Sequence, residues 1–173
     1  MKFSASGNVF AGFTGTSVAA AGFGLSGGKE NFSASATAFA GKQYDPKKYP
    51  FLYATVGSDY VFPGQDNNKT KFSLGTWSGY THLDSSHSGF VGVVPARLTS
   101  ELPKGIKLTF SPICERFYSD DSGYKNKLVL NTMLTGPITD NLSWYACHWL
   151  FDATRHPEER ANHEIDVGFS YTF

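Results

Sequence analysis

The chain has 173 residues, 40% hydrophobic and 16% aromatic, with 15 Lys and Arg against 15 Asp and Glu. Zero net charge leaves no electrostatic footprint for nucleic acid. The longest run of apolar residues and glycine, Val18 to Leu25, is far short of the ~20 residues a spanning helix needs, but a chain can cross a bilayer as strands of only about 9–11 alternating residues.

Taken in order, the first expected strand runs Lys2–Thr14, with Phe3, Ala5, Gly7, Val9, Ala11 and Phe13 on one face and Ser4, Ser6 and Asn8 on the other. No apolar core or small-residue cleavage site precedes it, so an exported chain would here be the mature form with a start Met added. After Gly15-Thr16 a second strand reaches Leu25, with Ala19, Ala21, Phe23 and Leu25 on its apolar face, and Gly27–Asn31 turns. The third strand alternates Phe32, Ala34, Ala36, Ala38 and Ala40 with Ser33, Ser35 and Thr37. A polar loop, 41–50, leads to a fourth strand, Phe51–Phe62, with Leu52, Ala54, Val56, Tyr60 and Phe62 on one side.

Beyond the Pro63–Asn68 break, a fifth strand covers Lys71–His82 (Phe72, Leu74 and Tyr80 apolar) and a sixth Gly89–Leu98 (Phe90, Val94 and Leu98). Pro95 within the sixth lacks a ladder donor and implies a bulge, as does Pro112 in the seventh strand, Ile106–Tyr118 (Ile106, Leu108 and Phe110). The eighth spans Asn126–Thr135 (Leu128, Leu130 and Leu134), and the ninth Leu142–Ala153, with Tyr145, Cys147, Trp149 and Phe151 taken as its outer side. In the closing strand, His163–Phe173, Ile165, Val167, Phe169, Tyr171 and Phe173 alternate strictly with Glu164, Asp166, Gly168, Ser170 and Thr172.

That ending resembles the closing strand of bacterial outer-membrane β-barrels, which finish on Phe with apolar or aromatic residues at alternate positions. The resemblance implies an all-β, ten-stranded antiparallel up-and-down transmembrane β-barrel over 1–173, in the bacterial outer membrane. An even strand count suits it. Connections 14–17, 41–50, 82–88, 119–125 and 154–162 would be external, and 26–31, 63–70, 99–105 and 136–141 internal. Alternation alone also fits a soluble ligand-binding barrel with its apolar face inside. The Ser, Thr, Gly and Asn opposite the apolar faces of the first three strands suit a cramped bore better than a water-facing surface, which favours Lys and Glu. Aromatics near both strand ends, such as Phe3, Tyr60 and Phe173 at one and Phe13, Tyr80, Phe117, Tyr118 and Phe151 at the other, read as two anchoring girdles. The segment Ser58-Asp59-Tyr60-Val61-Phe62 is similar to the S-D-Y-x-F element of bacterial porins of the TorF type, a likeness of a few residues from which no site follows.

Cys114 and Cys147 fall on expected apolar faces two strands apart, too far for a disulfide, and read as lipid-facing fillers. No metal spacing occurs and no cofactor is implied. A symmetric last hairpin sets His148 opposite Asp166, and a two-residue slip sets it opposite Glu164 or Gly168. The pair would be either a base and its orienter, as hydrolases use, or part of a lumen network with Glu115, Lys107 and Arg97. The other inner charges, Lys71, Lys127 and Asp59, are mixed in sign and form no selective ring. Arg116 would snorkel at the external rim. The Ala- and Gly-rich face of strands one to three could pack against a second copy or a partner protein. The expected function is a narrow porin-like channel or a structural component of an envelope assembly in contact with the lipid bilayer. The alternatives are an outer-membrane hydrolase or acyl-modifying enzyme using His148 and Asp166, and a soluble ligand-binding barrel.

Overall fold

The structure, a computed structural model, describes residues 2–14, 16–43, 49–65, 69–83, 86–119, 123–151 and 162–173. Ten strands follow in sequence: β1 (Lys2–Thr14), β2 (Thr16–Lys29), β3 (Phe32–Gln43), β4 (Tyr49–Val61), β5 (Thr70–Leu83), β6 (Ser86–Glu101), β7 (Lys107–Ser119), β8 (Gly123–Pro137), β9 (Leu142–Phe151) and β10 (Asn162–Thr172). Each pairs antiparallel with its chain neighbours, and β1 pairs with β10, so the sheet closes on itself. The seam runs from Gly12 opposite Asp166 to Ser6 opposite Thr172. Beyond it the Phe173 amide donates to the Ala5 carbonyl at 3.0 Å. Closure gives every strand two neighbours, the condition for placing a sheet in hydrocarbon.

The tight turns carry the residues that need left-handed backbone. Glu30 (φ 54°) turns β2 into β3, and Lys104 and Gly105 (φ 63° and 73°) turn β6 into β7. The longer β4–β5 connection is pinned by Gln65. Its amide nitrogen donates to the Phe62 and Phe72 carbonyls, both at 2.9 Å, and its amide oxygen accepts from the Phe72 amide at 2.6 Å. One side chain thus continues the ladder where the backbone has left it.

The alternation of β10 resolves as expected. Ile165, Val167, Phe169, Tyr171 and Phe173 are exposed on the outer face, whereas Asp166 and Gly168 are buried within. The same sidedness holds at Phe23 and Leu25, at Leu52, Val56 and Tyr60, and at Leu74 and Tyr80. A soluble barrel would hold these residues inside, but the buried apolar cluster is Val94, Ile113 and Val129. Ala19, Ala21, Ala36, Ala38 and Ala40 lie on the outer face of adjoining strands, broken by Phe23 opposite Ala38 and Leu25 opposite Ala36. Aromatics crowd the rim at the C-terminal end of the chain, internal in the expected orientation: Phe62 stacks on Phe72 with centroids 5.3 Å apart, and Tyr171 meets Phe173 edge-on at 5.3 Å. At the external rim Tyr118 and Tyr124 are exposed, and the Arg116 guanidinium lies 4.9 Å from the Tyr124 ring centre.

Two strands differ from the sequence expectation. In β6 the register against both neighbours shifts by one residue, between Val94 and Arg97 on the β5 side and between Val93 and Leu98 on the β7 side. This is the bulge expected at Pro95, and its extra residue reverses facing along the strand. Leu98 points out, but Phe90 and Val94 point in and Val91 and Val93 are exposed instead. No bulge forms in β7 at Pro112, because β7 keeps an unbroken register with β8 and the irregularity belongs to β6. In β9 the expected facing is reversed along the whole strand. Both of its sides are largely apolar, so periodicity did not choose between them.

Several glycines sit directly opposite a large ring, among them Gly79 opposite Phe90 and Gly168 opposite Tyr145. A Cβ on Gly79 would lie 2.6 Å from the Phe90 ring, and one on Gly168 would lie 2.2 Å from the Val9 carbonyl oxygen and 2.6 Å from the Tyr145 hydroxyl. The bare glycine is what lets each ring lie flat over the neighbouring strand. Gly79→Ala should displace the Phe90 ring at a cost of about 1 kcal/mol, read as a lower urea midpoint of unfolding with an unchanged slope.

Candidate functional site

The inner face of β9 supplies the site. Tyr145, Cys147, Trp149 and Phe151 project into the bore. Trp149 stacks on Phe151 at 6.0 Å between ring centres and meets Trp77 of β5 at 6.2 Å, and Trp77 stacks on Phe90 of β6 at 5.9 Å. Three strands, β6, β7 and β8, separate β5 from β9 around the barrel. The Trp77–Trp149 contact therefore crosses the lumen. Trp77, Trp149 and Phe151 also pack against the Val94–Ile113–Val129 cluster. Apolar packing thus fills the β6–β8 side of the bore.

What remains open is a cavity of about 830 Å³. Its lining runs from Gly105, Thr139, Asp140 and Asn141 at the internal rim to Thr81 and Phe90 towards the external one. Ser6, Asn8 and Thr37 make one wall polar, while Tyr53, Trp77, Tyr145, Trp149 and Met133 make the other largely aromatic. The small polar side chains expected inside the first three strands are therefore found there, and Thr55, Ser73, Thr109, Ser111 and Asn131 add others on the inner faces of β4, β5, β7 and β8.

Charge is placed unevenly. At the internal end Arg97 is ion-paired with Asp59, and its Nε donates to Ser111 Oγ at 3.0 Å. The Asp59 carboxylate reaches β6 across β5 at Gly75, where a Cβ would lie 2.6 Å from Asp59 Oδ1. Lys107 lines the cavity near the same end. Glu115 and Lys127 are cross-strand neighbours, with the Lys127 ammonium 3.5 Å above the centre of the Phe117 ring. Glu164 and Asp166 line the cavity side by side on β10. Asp166 Oδ2 accepts from Trp149 Nε1 at 3.1 Å and lies 3.6 Å from Cys147 Sγ.

His148 does not join them. β9 pairs with β10 so that His148 lies opposite Ile165, and Asp166 lies opposite Cys147. The register is one residue from the symmetric hairpin, and an odd shift sends a side chain to the other face. His148 is on the outside, where its Nε2 is 2.9 Å from Nδ1 of His163 and the two rings stack at 5.2 Å. The His148–Asp166 and His148–Glu164 contacts expected from sequence are not formed. The same reversal carries Cys147 into the bore and leaves Cys114 on the outer face, both as free thiols. Phe117 and Phe151, expected in the external girdle, line the cavity, and the side chain of Phe13 lies outside those described. The loop 154–162, taken as charged and solvated, falls almost wholly outside the described residues. Among the described residues, no group of three or more His, Cys, Asp or Glu side chains converges as metal ligands.

The sidedness of the two thiols is directly measurable. A nitroxide attached at Cys114, in a Cys147→Ser background, should relax strongly with lipid-soluble oxygen and weakly with a water-soluble nickel chelate. The reverse ranking would place Cys114 towards water.

The aromatic bridge escaped the sequence reading. A signal was nonetheless present, because Phe39, Tyr53 and Trp77 all lie on the face of their strands opposite the outward residues. Large rings on an otherwise small, polar inner face are filler for a bore.

No family model and no curated protein matches the chain. Among solved structures it is similar to the β domain of the Bordetella autotransporter BrkA, with 10% identity over 100% of both chains and a TM-score of 0.57. It is also similar to OmpT of Vibrio cholerae, in a loop-deletion form, with 9% identity over 91% of this chain and 54% of that one and a TM-score of 0.44. A third is Neisserial surface protein A, with 11% identity over 99% and 96% and a TM-score of 0.36. The chain thus spans about half the length of the OmpT structure it matches. Identities this low speak to the fold alone. The chain is a closed ten-stranded antiparallel β-barrel, with the fold of bacterial outer-membrane barrels.

Proposed function

We propose that this protein is a small barrel of the bacterial outer membrane whose bore is a ligand-sized chamber rather than an open pore. The observation that carries this is the Phe90–Trp77–Trp149–Phe151 run of rings, which crosses the lumen. Rings meeting across a narrow bore make a hydrophobic constriction, which excludes hydrated ions by dewetting. The cavity of about 830 Å³ lies in the range of small-molecule sites, roughly 300–1,000 Å³, and mixes apolar walls with a few convergent polar groups as such sites do. Its internal-rim lining supports entry from that end.

A narrow porin-like channel is the competing role, favoured by a lining that extends towards both rims. The hydrolase reading loses its support, because His148 faces away from the carboxylates. Planar-bilayer recording of the purified barrel decides between chamber and channel. The chamber predicts no steady unitary conductance in the wild type, and steady conductance at low voltage would make it a channel.

A further inference from the structure

We infer that the bore is a binding site for a hydrophobic organic cation, held between the Trp77–Trp149 wall and the Glu164–Asp166 carboxylates. The inference rests on the chamber reading above and gives it a ligand class. Asp166 is only 9% exposed, and its Oδ1 has no hydrogen-bond donor. That oxygen packs against the Gly12 backbone across the seam. A Cβ there would lie 2.6 Å from Asp166 Oδ1 and 3.4 Å from Glu164 Oε1, so the two carboxyl groups lie side by side over Gly12. Among the described residues, neither forms an ion pair with Lys, Arg or His. The cavity's two lysines sit elsewhere, Lys127 beside Glu115 over the Phe117 ring and Lys107 at the internal end.

A buried carboxyl group beside a half-buried one, with no cation between them, is costly to the fold unless something complements the pair. A metal ion suits the place poorly, since aromatic faces offer it no ligands and two carboxylates make an incomplete shell. An organic cation suits both features. Its charge complements the acid pair, and its apolar body lies against Trp77, Trp149, Tyr145 and Tyr53, where ring faces attract a desolvated cation. The polar wall of Ser6, Asn8 and Thr37 carries no competing positive charge.

Tetraphenylphosphonium and tetraphenylborate test this, because they share a shape and differ in the sign of their charge. Each is titrated into the full chain in a non-ionic detergent while tryptophan fluorescence is followed. The phosphonium should quench saturably and bind at least ~10-fold more tightly than the borate. The E164Q/D166N variant should lose that preference while retaining the heat-modifiable gel mobility of a folded barrel. Should it not fold, Gly12→Ala, whose Cβ would displace the Asp166 carboxylate, should weaken phosphonium binding alone. Equal affinity for the two ions, absence of saturable quenching, or an unchanged preference in the folded variant overturns the inference. Bilayer recording of the same preparation keeps the two readings apart. A non-conducting barrel that ignores the phosphonium sinks the cation site alone, whereas a conducting wild type sinks the chamber.

Discussion

Removing both tryptophans of the bridge, in a Trp77→Ala/Trp149→Ala variant, should turn a non-conducting barrel into a conducting one. Their rings meet 6.2 Å apart across the lumen, and each is backed by a second ring, Phe90 behind Trp77 and Phe151 behind Trp149. Taking out one indole leaves the other stacked on its neighbour, so each single variant should conduct little. Taking out both removes the crossing and joins its volume to the existing cavity. Unitary conductance should then rise at least ~10-fold above the wild-type background, as expected when a hydrophobic constriction is opened to water. Each Trp→Ala truncation of this kind costs about 3–5 kcal/mol in a packed core. The Leu pair at the same positions is therefore the companion variant, retaining part of the packing against Val94, Ile113 and Val129. If both folded variants stay as quiet as the wild type, the bridge is not what closes the bore.

Asp59→Ala should be the most damaging single change at the internal end, lowering stability by about 2–3 kcal/mol. The Asp59 and Arg97 side chains are 27% and 21% exposed, so the figure is set below that for a fully buried pair. Among the described residues, the guanidinium without Asp59 keeps only the 3.0 Å bond from its Nε to Ser111 as a partner and remains a cation inside the barrel. The pair joins β4 to β6 across β5, so its loss also loosens the sheet beside the β6 bulge. An Asp59→Ala/Arg97→Met variant should recover much of the loss, since the penalty comes from the stranded charge rather than from the missing bond. Urea unfolding in lipid vesicles measures both. A single variant within about 0.5 kcal/mol of the wild type, or a double variant no better than the single, would show the pair to be an ordinary surface contact.

Much of the site was legible residue by residue but not as an assembly. The positions of Glu115, Glu164 and Asp166 on inner faces follow from the alternation of β7 and β10, whose opposite faces carry Phe110, Phe169 and Tyr171. The inner rings of Tyr53 and Trp77 follow from the same rule in β4 and β5. What could not be read was who meets whom. A symmetric loop matches His148 with Asp166, whereas the register one residue away puts Cys147 there instead. Loop symmetry carries no energy of its own. The register is set where ten strands must close with complementary faces.

By itself the sequence determined that the chain is a run of ten antiparallel strands with greasy and polar sides, and where most of the turns lie. A period of two is a local property, written into each segment by the stereochemistry of the extended chain. It also determined the outward face wherever one side was plainly more apolar, as in β3, β4, β8 and β10. Only the closed barrel decided the rest. β9 is apolar on both sides, and whether Trp149 or His148 looks inward depends on the volume left by Trp77, Val94 and Val129 on other strands. In β6 one extra residue near Pro95 reverses the facing, and its place is fixed by pairing on both flanks. Side choice in such strands is a packing decision, and packing exists only once the sheet has closed.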